Sequence, residues 1–296
     1  MSRKNVSWSV LLVLICSTLL AVSATAQHFQ QVKGALTFVA AGRNEIFGYD
    51  THAAVWRYHP TTKSFGKIAG ASLFQLAVGG GTVSQPDEVW GIDVSLNVYR
   101  FNYSTKTFDQ IPGAAFSQIA VGEGAQDNCH PYEVWGLNST VISRYNYCTG
   151  AFDGITGGPT QVATEGGDVW AINSSGGIYQ FELAQGVGFV LFLNGPTLTE
   201  IAVGVDNVWG INSSNQVFRY DPNTNQFSQV EGGLVQIAAG GDGVWGINQD
   251  NGIFRFDPGT ASWVQVNGLL KSIAVGSGTG VWGINSSHQV FTFVRP

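Results

Sequence analysis

The chain has 296 residues, with 14 basic and 20 acidic side chains and a formal net charge of −6. Charged residues make up only 11% of it and no run of three Lys or Arg occurs, which excludes the clustered positive charge that binds nucleic acids or anionic membranes. Aromatic residues make up 12% and are spread evenly, which excludes a disordered chain.

The first 26 residues have the pattern of a secretory signal peptide. Arg3 and Lys4 precede an apolar run over residues 10–22, and Ala24-Thr25-Ala26 follows with small residues at both ends. The run is shorter than the roughly 20 residues that a membrane-spanning helix needs. We therefore expect cleavage before Gln27, a secreted mature protein over residues 27–296 and no membrane span.

The mature chain is a tandem repeat, which decides its fold class. An aromatic residue preceded by Val or Ile and followed by Gly or Ala marks each copy at Phe47, Trp90, Trp135, Trp170, Trp209, Trp245 and Trp282. Each copy divides into four short alternating segments separated by Asn, Asp, Gly, Ser and Pro, which predicts four strands and no helix. The sequence therefore predicts an all-β fold, a single seven-bladed β-propeller with four-stranded blades.

Two small residues in each copy have predicted packing roles. We expect the Gly after the marker aromatic to leave room for a bulky side chain of the next blade. We expect the Ala of the first strand to lie near the crowded axis; it recurs at Ala40, Ala77, Ala120, Ala163, Ala202, Ala238 and Ala274.

The seventh copy ends without a fourth strand. Residues 28–34, His-Phe-Gln-Gln-Val-Lys-Gly, match residues 226–232, Gln-Phe-Ser-Gln-Val-Glu-Gly, which form the fourth strand of the fifth copy. We expect the N-terminal segment to join the last blade and close the ring, because closure removes an unpaired sheet edge.

The repeat unit, with the tail Gln-Val-Glu-Gly-Gly-Leu-Val-Gln-Ile-Ala over residues 229–238, resembles the tectonin repeat. Tectonins and fish-egg lectins are propellers that bind carbohydrate, so the resemblance implies cell-surface or microbial glycans as ligands. It covers residues 28–296.

Two repeated polar series are candidates for carbohydrate binding. The third strand carries an arginine at Arg57, Arg100, Arg144, Arg219 and Arg255. Each guanidinium group either lies over the neighbouring blade with an acidic or carbonyl partner, or donates to a sugar in a cleft between blades. The second strand ends in an amide at Asn138, Asn173, Asn212, Asn248 and Asn285, with Asp50 and Asp93 at the same place. These residues either form turns or bind a glycan at the rim.

The marker tryptophans are predicted to lie in the core between blades, because they repeat strictly. Trp56 and Trp263 each occur in one copy only, which makes them the better candidates for stacking on a sugar.

Cys129 and Cys148 are the cysteines of the mature chain and lie in two links predicted at the same end of the third blade. A disulfide is the expected pairing in a secreted protein. The alternative is a metal site with His130, but two Cys and one His fall short of a structural zinc pattern. We expect neither a metal nor a cofactor.

Two copies carry insertions, at residues 79–87 and 122–132, which we expect to project from one end of the ring. The histidines are scattered and no nucleophile motif is present, so no enzymatic activity is predicted. The leading hypothesis is a secreted multivalent carbohydrate-binding protein. The alternatives are a protein-interaction scaffold that binds through the inserted loops and, less favoured, a secreted enzyme with a site near the axis.

Overall fold

The computed structural model describes residues 27–139, 141–155, 157–182, 188–192, 195–205 and 207–295. This part of the chain consists of 28 β-strands and the links between them. The predicted signal peptide, residues 1–26, lies outside the described residues. Within the described ranges no helix reaches the length and apolarity needed to cross a bilayer.

The strands follow the repeats closely. The N-terminal strand is β1 (His28–Ala35). The first three repeats form β2 (Phe38–Ala41), β3 (Ile46–Tyr49), β4 (Ala54–His59), β5 (Ser64–Ser72), β6 (Gln75–Gly79), β7 (Glu88–Ile92), β8 (Asn97–Asn102), β9 (Thr107–Ala115), β10 (Gln118–Asp127), β11 (His130–Leu137), β12 (Ile142–Asn146) and β13 (Ala151–Ile155). The other repeats form β14 (Pro159–Glu165), β15 (Asp168–Asn173), β16 (Ile178–Glu182), β17 (Gly188–Leu191), β18 (Glu200–Gly204), β19 (Asn207–Ile211), β20 (Gln216–Asp221), β21 (Gln226–Gly233), β22 (Gln236–Gly240), β23 (Gly243–Ile247), β24 (Gly252–Asp257), β25 (Ser262–Leu269), β26 (Ser272–Val275), β27 (Val281–Ile284) and β28 (Gln289–Val294).

Five of the sheets are four-stranded antiparallel meanders, β6–β9, β10–β13, β14–β17, β18–β21 and β22–β25. The remaining sheet has the order β2-β3-β4-β5-β1-β28-β27-β26, and its β5 and β1 touch through one parallel bridge between Lys33 and Ser64. β1 runs antiparallel to β28, with His28 opposite Val294 and Val32 opposite Val290. The N-terminal segment therefore pairs with the seventh repeat, as its match to the fourth strand predicted.

The first strands of consecutive repeats contact each other in chain order, and β26 contacts β2. This arrangement is a β-propeller. The predicted small residues of the first strands line an axial cavity of about 280 Å³: Ala40, Ala77, Ala120, Ala163, Ala202, Ala238 and Ala274. We call the end that carries the links between first and second strands and between third and fourth strands the loop end, and the opposite end the turn end.

The marker tryptophans are buried between repeats, which confirms the predicted core role. Each packs edge-on or tilted against an aromatic side chain of the next repeat, with ring centroids 4.7–4.8 Å apart. The pairs are Trp90–Tyr145, Trp135–Phe181, Trp170–Tyr220, Trp209–Phe256, Trp245–Phe293 and Trp282–Tyr58. Because the last pair joins the seventh repeat to the first, aromatic packing continues across the chain ends.

The glycine after each marker has a different partner from the one predicted. A methyl group at Gly210 would overlap Leu198, and one at Gly91 would overlap Leu73. Both leucines lie in the link that leads into the same repeat, not in the next one. These glycines therefore admit a buried side chain from the entering link.

The two insertions adopt different structures at the loop end. Residues 122–132 extend β10 and β11 into a long hairpin, with Asp127 opposite His130. Cys129 at its tip is disulfide-bonded to Cys148, with 5.0 Å between the Cα atoms, which confirms the predicted pairing. Residues 79–87 form a loop that lies against the first repeat.

Candidate binding clefts between repeats

Three of the five repeated arginines are held by glutamates. Arg57, Arg100 and Arg144 each point two guanidinium nitrogens at one carboxylate, that of Glu45, Glu88 and Glu133 respectively. Each glutamate lies two residues before the marker aromatic of the same repeat. A two-point pair of this kind fixes the orientation of the planar guanidinium group.

The same carboxylates accept a bond from the marker indole. Trp90 Nε1 donates to Glu88 Oε2 at 2.8 Å, and Trp135 Nε1 donates to Glu133 Oε2 at 2.7 Å. The guanidinium group of Arg144 also lies over the Phe181 ring of the next repeat, 5.8 Å from its centroid. These arginines thus cover the neighbouring repeat and pair with an acid, which is the structural role considered from the sequence.

The other two arginines lack this partner. The position two residues before the marker is Asn207 in the fifth repeat and Gly243 in the sixth. Arg219 lies over the rings of Trp209 and Phe256, and among the described residues neither Arg219 nor Arg255 has a carboxylate within 4 Å. In the described part of the chain, Arg219 and Arg255 therefore differ from the other three arginines in having no glutamate partner.

The repeated amides form turns. The side-chain oxygen of Asn212 accepts from the backbone N–H groups of Ser214 and Gln216 at 3.0 and 2.9 Å. Asn248 and Asn285 make the same pair of bonds, and Asn138 accepts from Val141 in a turn that is one residue shorter. This is an Asx turn, which replaces a missing backbone partner by a side-chain acceptor. The Oδ1 atom of each amide is therefore already used at the turn end.

Trp56 forms an aromatic wall of a cleft between the seventh and the first repeat. The cleft has a volume of about 510 Å³ and lies between β1 on one side and the β3–β4 link, β4 and β5 on the other. We call it the seam cleft. Its lining includes Lys33, Leu36, Asp50, His52, Trp56 and Phe65.

Asp50 fixes the Trp56 ring in this cleft. Trp56 Nε1 donates to Asp50 Oδ2 at 3.0 Å, while the backbone N–H groups of His52 and Ala54 donate to Oδ1 at 2.9 and 3.1 Å. Burial alone would raise the pKa of Asp50, but these three hydrogen bonds and the nearby His52 together hold that pKa below its usual value. The carboxylate is thus ionised at neutral pH, and the indole is held half-buried against the cleft.

An equivalent, smaller cleft recurs in the fourth repeat. It has a volume of about 80 Å³ and is lined by Gly157, Gly158, Pro159, Tyr179 and Phe189. Tyr179 occupies the strand position of Trp56, since it lies opposite Ala171 as Trp56 lies opposite Gly48. Its hydroxyl lies 3.1 Å from Nδ2 of Asn173, the residue equivalent to Asp50. The pairing of an aromatic side chain with a turn residue therefore occurs in more than one repeat, with a carboxylate in the first and an amide in the fourth.

Trp263 has different surroundings from Trp56. Its ring is half-buried and packs against Trp209 and Phe256 at centroid distances of 5.7 and 5.4 Å. The indole N–H is buried and has no acceptor among the described residues. Trp56 and Trp263 therefore differ as stacking candidates, since only Trp56 lines a cleft of ligand size.

The loop end has a second ordered feature. Asp87 is buried and accepts backbone N–H bonds from Arg43, Asn44, Glu45 and Gly81 at 2.7–3.2 Å. These bonds dock the 79–87 loop onto the first repeat. The tip residue Val83 is 93% exposed.

The axial cavity is lined mainly by apolar side chains. Its walls are alanine, valine and isoleucine with Phe38, and Thr164 supplies a polar side chain. Groups that could hold a metal ion, with three or more His, Cys, Asp or Glu side chains, are absent from the described part of the chain.

Comparison with known proteins agrees with the propeller fold. The chain is similar in structure to U3-55K, with a TM-score of 0.66 at 9% identity over 90% of this chain and 98% of that one. It is similar to YCF48 bound to D1 peptide, with a TM-score of 0.63 at 12% identity over 91% and 96% of the two chains. It is also similar to Prp20p from Saccharomyces cerevisiae, with a TM-score of 0.62 at 10% identity over 86% and 81%.

Sequence comparison identifies the family more closely. No curated protein matches the chain at a significant level. The family model of the Tectonin domain matches residues 16–189 and 158–295, which together span nearly the whole chain. Since the repeat unit, the four-stranded sheets and the family match agree, the chain belongs to the tectonin family.

Proposed function

We propose that this chain is a secreted seven-bladed tectonin propeller that binds glycans through clefts between its blades. The seven sequence repeats, the cyclic contacts of the first strands and the single bridge between β5 and β1 support seven blades, with the eight-stranded sheet counted as two. The signal-peptide pattern of residues 1–26 supports secretion.

One observation carries the proposed activity. The seam cleft combines an aromatic wall, Trp56, with a carboxylate, Asp50, that is fixed beside it. An aromatic face stacks on the apolar face of a sugar, and a fixed carboxylate accepts bonds from its hydroxyls. The recurrence of the same pairing at Tyr179 supports more than one site per ring, and linked sites raise the overall affinity for a polymer.

Binding rather than catalysis is the activity that these features favour. The carboxylate of Asp50 in the seam cleft is occupied by three N–H donors, which suits a fixed acceptor in a binding site. The aliphatic axial cavity supports the same inference.

The test is a glycan array followed by calorimetric titration of the best ligand. Trp56→Ala should abolish the tightest class of sites, because it removes the stacking wall. Phe254→Ala, which changes the equivalent strand position in the sixth repeat, should leave that class intact. Absence of saccharide binding across eukaryotic and bacterial surface glycans would refute the proposal.

A protein-interaction scaffold is the second candidate. It is favoured by the docked 79–87 loop, which holds Val83 exposed on a rigid support at the loop end. Structures similar to this chain include one bound to a peptide and one described by its binding to Gsp1p and histones. If this candidate is correct, Val83→Asp should abolish capture of a partner from the native secretome, while Trp56→Ala should not.

A further inference from the structure

The first repeat is a cationic region in an acidic molecule. Residues 27–72 contain five basic and two acidic side chains, whereas residues 73–296 contain seven basic and eighteen acidic ones. The seam cleft lies in this basic region. A local positive potential on a negative protein attracts anions to one place on the ring.

One lysine lines the cleft, and a second lies beside its aromatic wall. Lys33 lines the cleft from β1. Lys67 lies directly opposite Trp56 in the β4–β5 pair, so both side chains project from the same face of the sheet at neighbouring positions.

Neither lysine forms an ion pair within the described part of the chain. Among the described residues neither Lys33 nor Lys67 has a carboxylate within 4 Å. The acid of the cleft, Asp50, already accepts three N–H bonds from Trp56, His52 and Ala54. Elsewhere on the ring the pattern is the opposite, since Arg57, Arg100 and Arg144 are each matched by a glutamate. The seam cleft thus places Lys33 and Lys67, which have no ion-pair partner among the described residues, next to the ring of Trp56 and the carboxylate of Asp50.

We propose that the seam cleft selects acidic saccharides, in which a carboxylate or sulfate ester pairs with Lys33 and Lys67 while the sugar ring stacks on Trp56. This inference rests on the proposed glycan-binding function and names its ligand class. The charged bonds supply selectivity over a neutral sugar of the same shape, because the lysines stay without an anionic partner when the neutral sugar binds.

The test compares matched neutral and acidic ligands. Oligogalacturonate and its methyl ester form one pair, and sulfated and unsulfated dextran form the other. We expect the acidic member of at least one pair to bind about tenfold or more tightly, by an amount that falls as ionic strength rises. The pair that responds distinguishes carboxylate from sulfate recognition.

Variants assign the effect to the cleft. The double change Lys33→Ala/Lys67→Ala should remove the preference for the acidic ligand and its salt dependence. Lys106→Ala/Lys271→Ala removes the same charge from other parts of the ring and should leave the preference intact. Circular dichroism melts check that both variants fold.

Three results would overturn the inference. Equal binding of acidic and neutral partners refutes acidic selectivity but leaves glycan binding standing. Complete displacement by inorganic sulfate, with no gain from the sugar ring and no loss in Trp56→Ala, shows a simple anion site. Failure of every saccharide to bind refutes the proposed function itself.

Discussion

At the scale of single residues, the turn amides act through their oxygen atoms. Asn248 accepts from the N–H groups of Asp250 and Gly252 at 3.1 and 2.8 Å, and Asn251 between them has a left-handed backbone with φ of 63°. Asn248→Ala leaves two donors without their acceptor, so we expect a loss of about 1–2 kcal/mol in unfolding free energy with glycan affinity unchanged. Asn248→Asp keeps the acceptor and should lose far less. Urea titration of the three proteins measures this, and a loss of binding without a loss of stability would show that the amide is a ligand.

The buried acid of the third repeat is a stronger test of residue-scale energetics. Glu133 and Arg144 are 0% and 4% exposed, and Trp135 shares the carboxylate. Glu133→Gln leaves the guanidinium charge buried without a counter-ion, so we expect a loss of roughly 3 kcal/mol in unfolding free energy. Replacing both partners, Glu133→Gln/Arg144→Met, removes the charge and should recover part of that loss. If the double variant is less stable than Glu133→Gln alone, burial of an unpaired charge is not the cause.

Sequence regularity predicted these residues only in part. The strict repetition of the marker identified the buried tryptophans, and the placement of Cys129 and Cys148 in two links at one end of the third repeat identified the disulfide. The glutamate partners were missed, although each lies two residues before the marker in the three repeats where an arginine was singled out. That co-occurrence is the signal that would have found them. The buried leucines of the links, such as Leu73 and Leu198, were not predicted, because a residue in a link does not follow the alternation of side chains along a strand.

At the scale of the elements, a glutamine clamp joins the first strands of neighbouring repeats. Gln118 Oε1 accepts from Val162 N at 3.0 Å and its Nε2 donates to Val162 O at 3.2 Å. Gln236 does the same with Ile273 at 3.1 and 3.4 Å. The amide side chain thus acts as one extra peptide unit between two strands that do not share a sheet.

The fifth repeat has Glu200 at this position. Its Oε1 accepts from Ile237 N at 2.9 Å, but only a protonated carboxyl can donate to the carbonyl as glutamine does. Burial raises the pKa of Glu200 to about 7, and the single backbone bond from Ile237 opposes this only partly. β19 and β22 carry no charged residue, while Glu165 of β14 and Asp168 of β15 lie at the loop end, away from Glu200 at the turn end.

The raised pKa of Glu200 means that the stability of the folded chain falls as pH rises. The folded chain holds the proton more tightly than the unfolded chain, so the stability that Glu200 contributes is complete at pH below about 4.5 and is lost as pH rises to about 7. Glu200→Gln should match the wild type near pH 4.5 and exceed its unfolding free energy by up to about 3 kcal/mol above pH 7. Gln236→Glu should introduce a second loss of the same sign. Parallel stability curves for wild type and Glu200→Gln across this range would contradict the clamp.

The sequence predicted one residue of the seam cleft but not the shape of the cleft. Trp56 was singled out because it occurs in one repeat, and it does line a cleft. The wall of that cleft includes the irregularity between Val32 and Ala35, where Lys33 and Gly34 are extra residues of β1 relative to β28. The alternation of side chains did not locate this bulge, because the inserted residues interrupt the period of two on which the strand prediction rests. The sequence also did not predict that Asp87 docks the 79–87 loop onto the first repeat. The bonds that Asp87 accepts come from backbone N–H groups, which leave no pattern of side chains in the sequence.

At the scale of the whole molecule, the chain ends hold the ring together. β1 supplies the fourth strand of the seventh repeat, and its Phe29 packs against Trp245 and Phe293 with centroid distances of 5.9 and 5.3 Å. Val32 is buried in the core that spans the seventh and first repeats. Removing this strand exposes the edge of β28 and both aromatic rings, and it also removes the strand that leads from the seventh repeat into β2 of the first.

Deletion of residues 27–34 should therefore lower the melting temperature by roughly 10 °C or more. Burial of Phe29 and Val32 alone contributes about 1.5–3 kcal/mol each, and each kcal/mol corresponds to about 2–4 °C in a domain of this size. Deletion of Gln27 alone is the matched control and should change the melt little, because pairing begins at His28. Adding a peptide of residues 27–36 in excess should restore part of the lost stability, since a strand that binds only the folded ring shifts the equilibrium toward it. An unchanged melting temperature in the truncated protein would mean that contacts between the first strands, not the outer strand, close the ring.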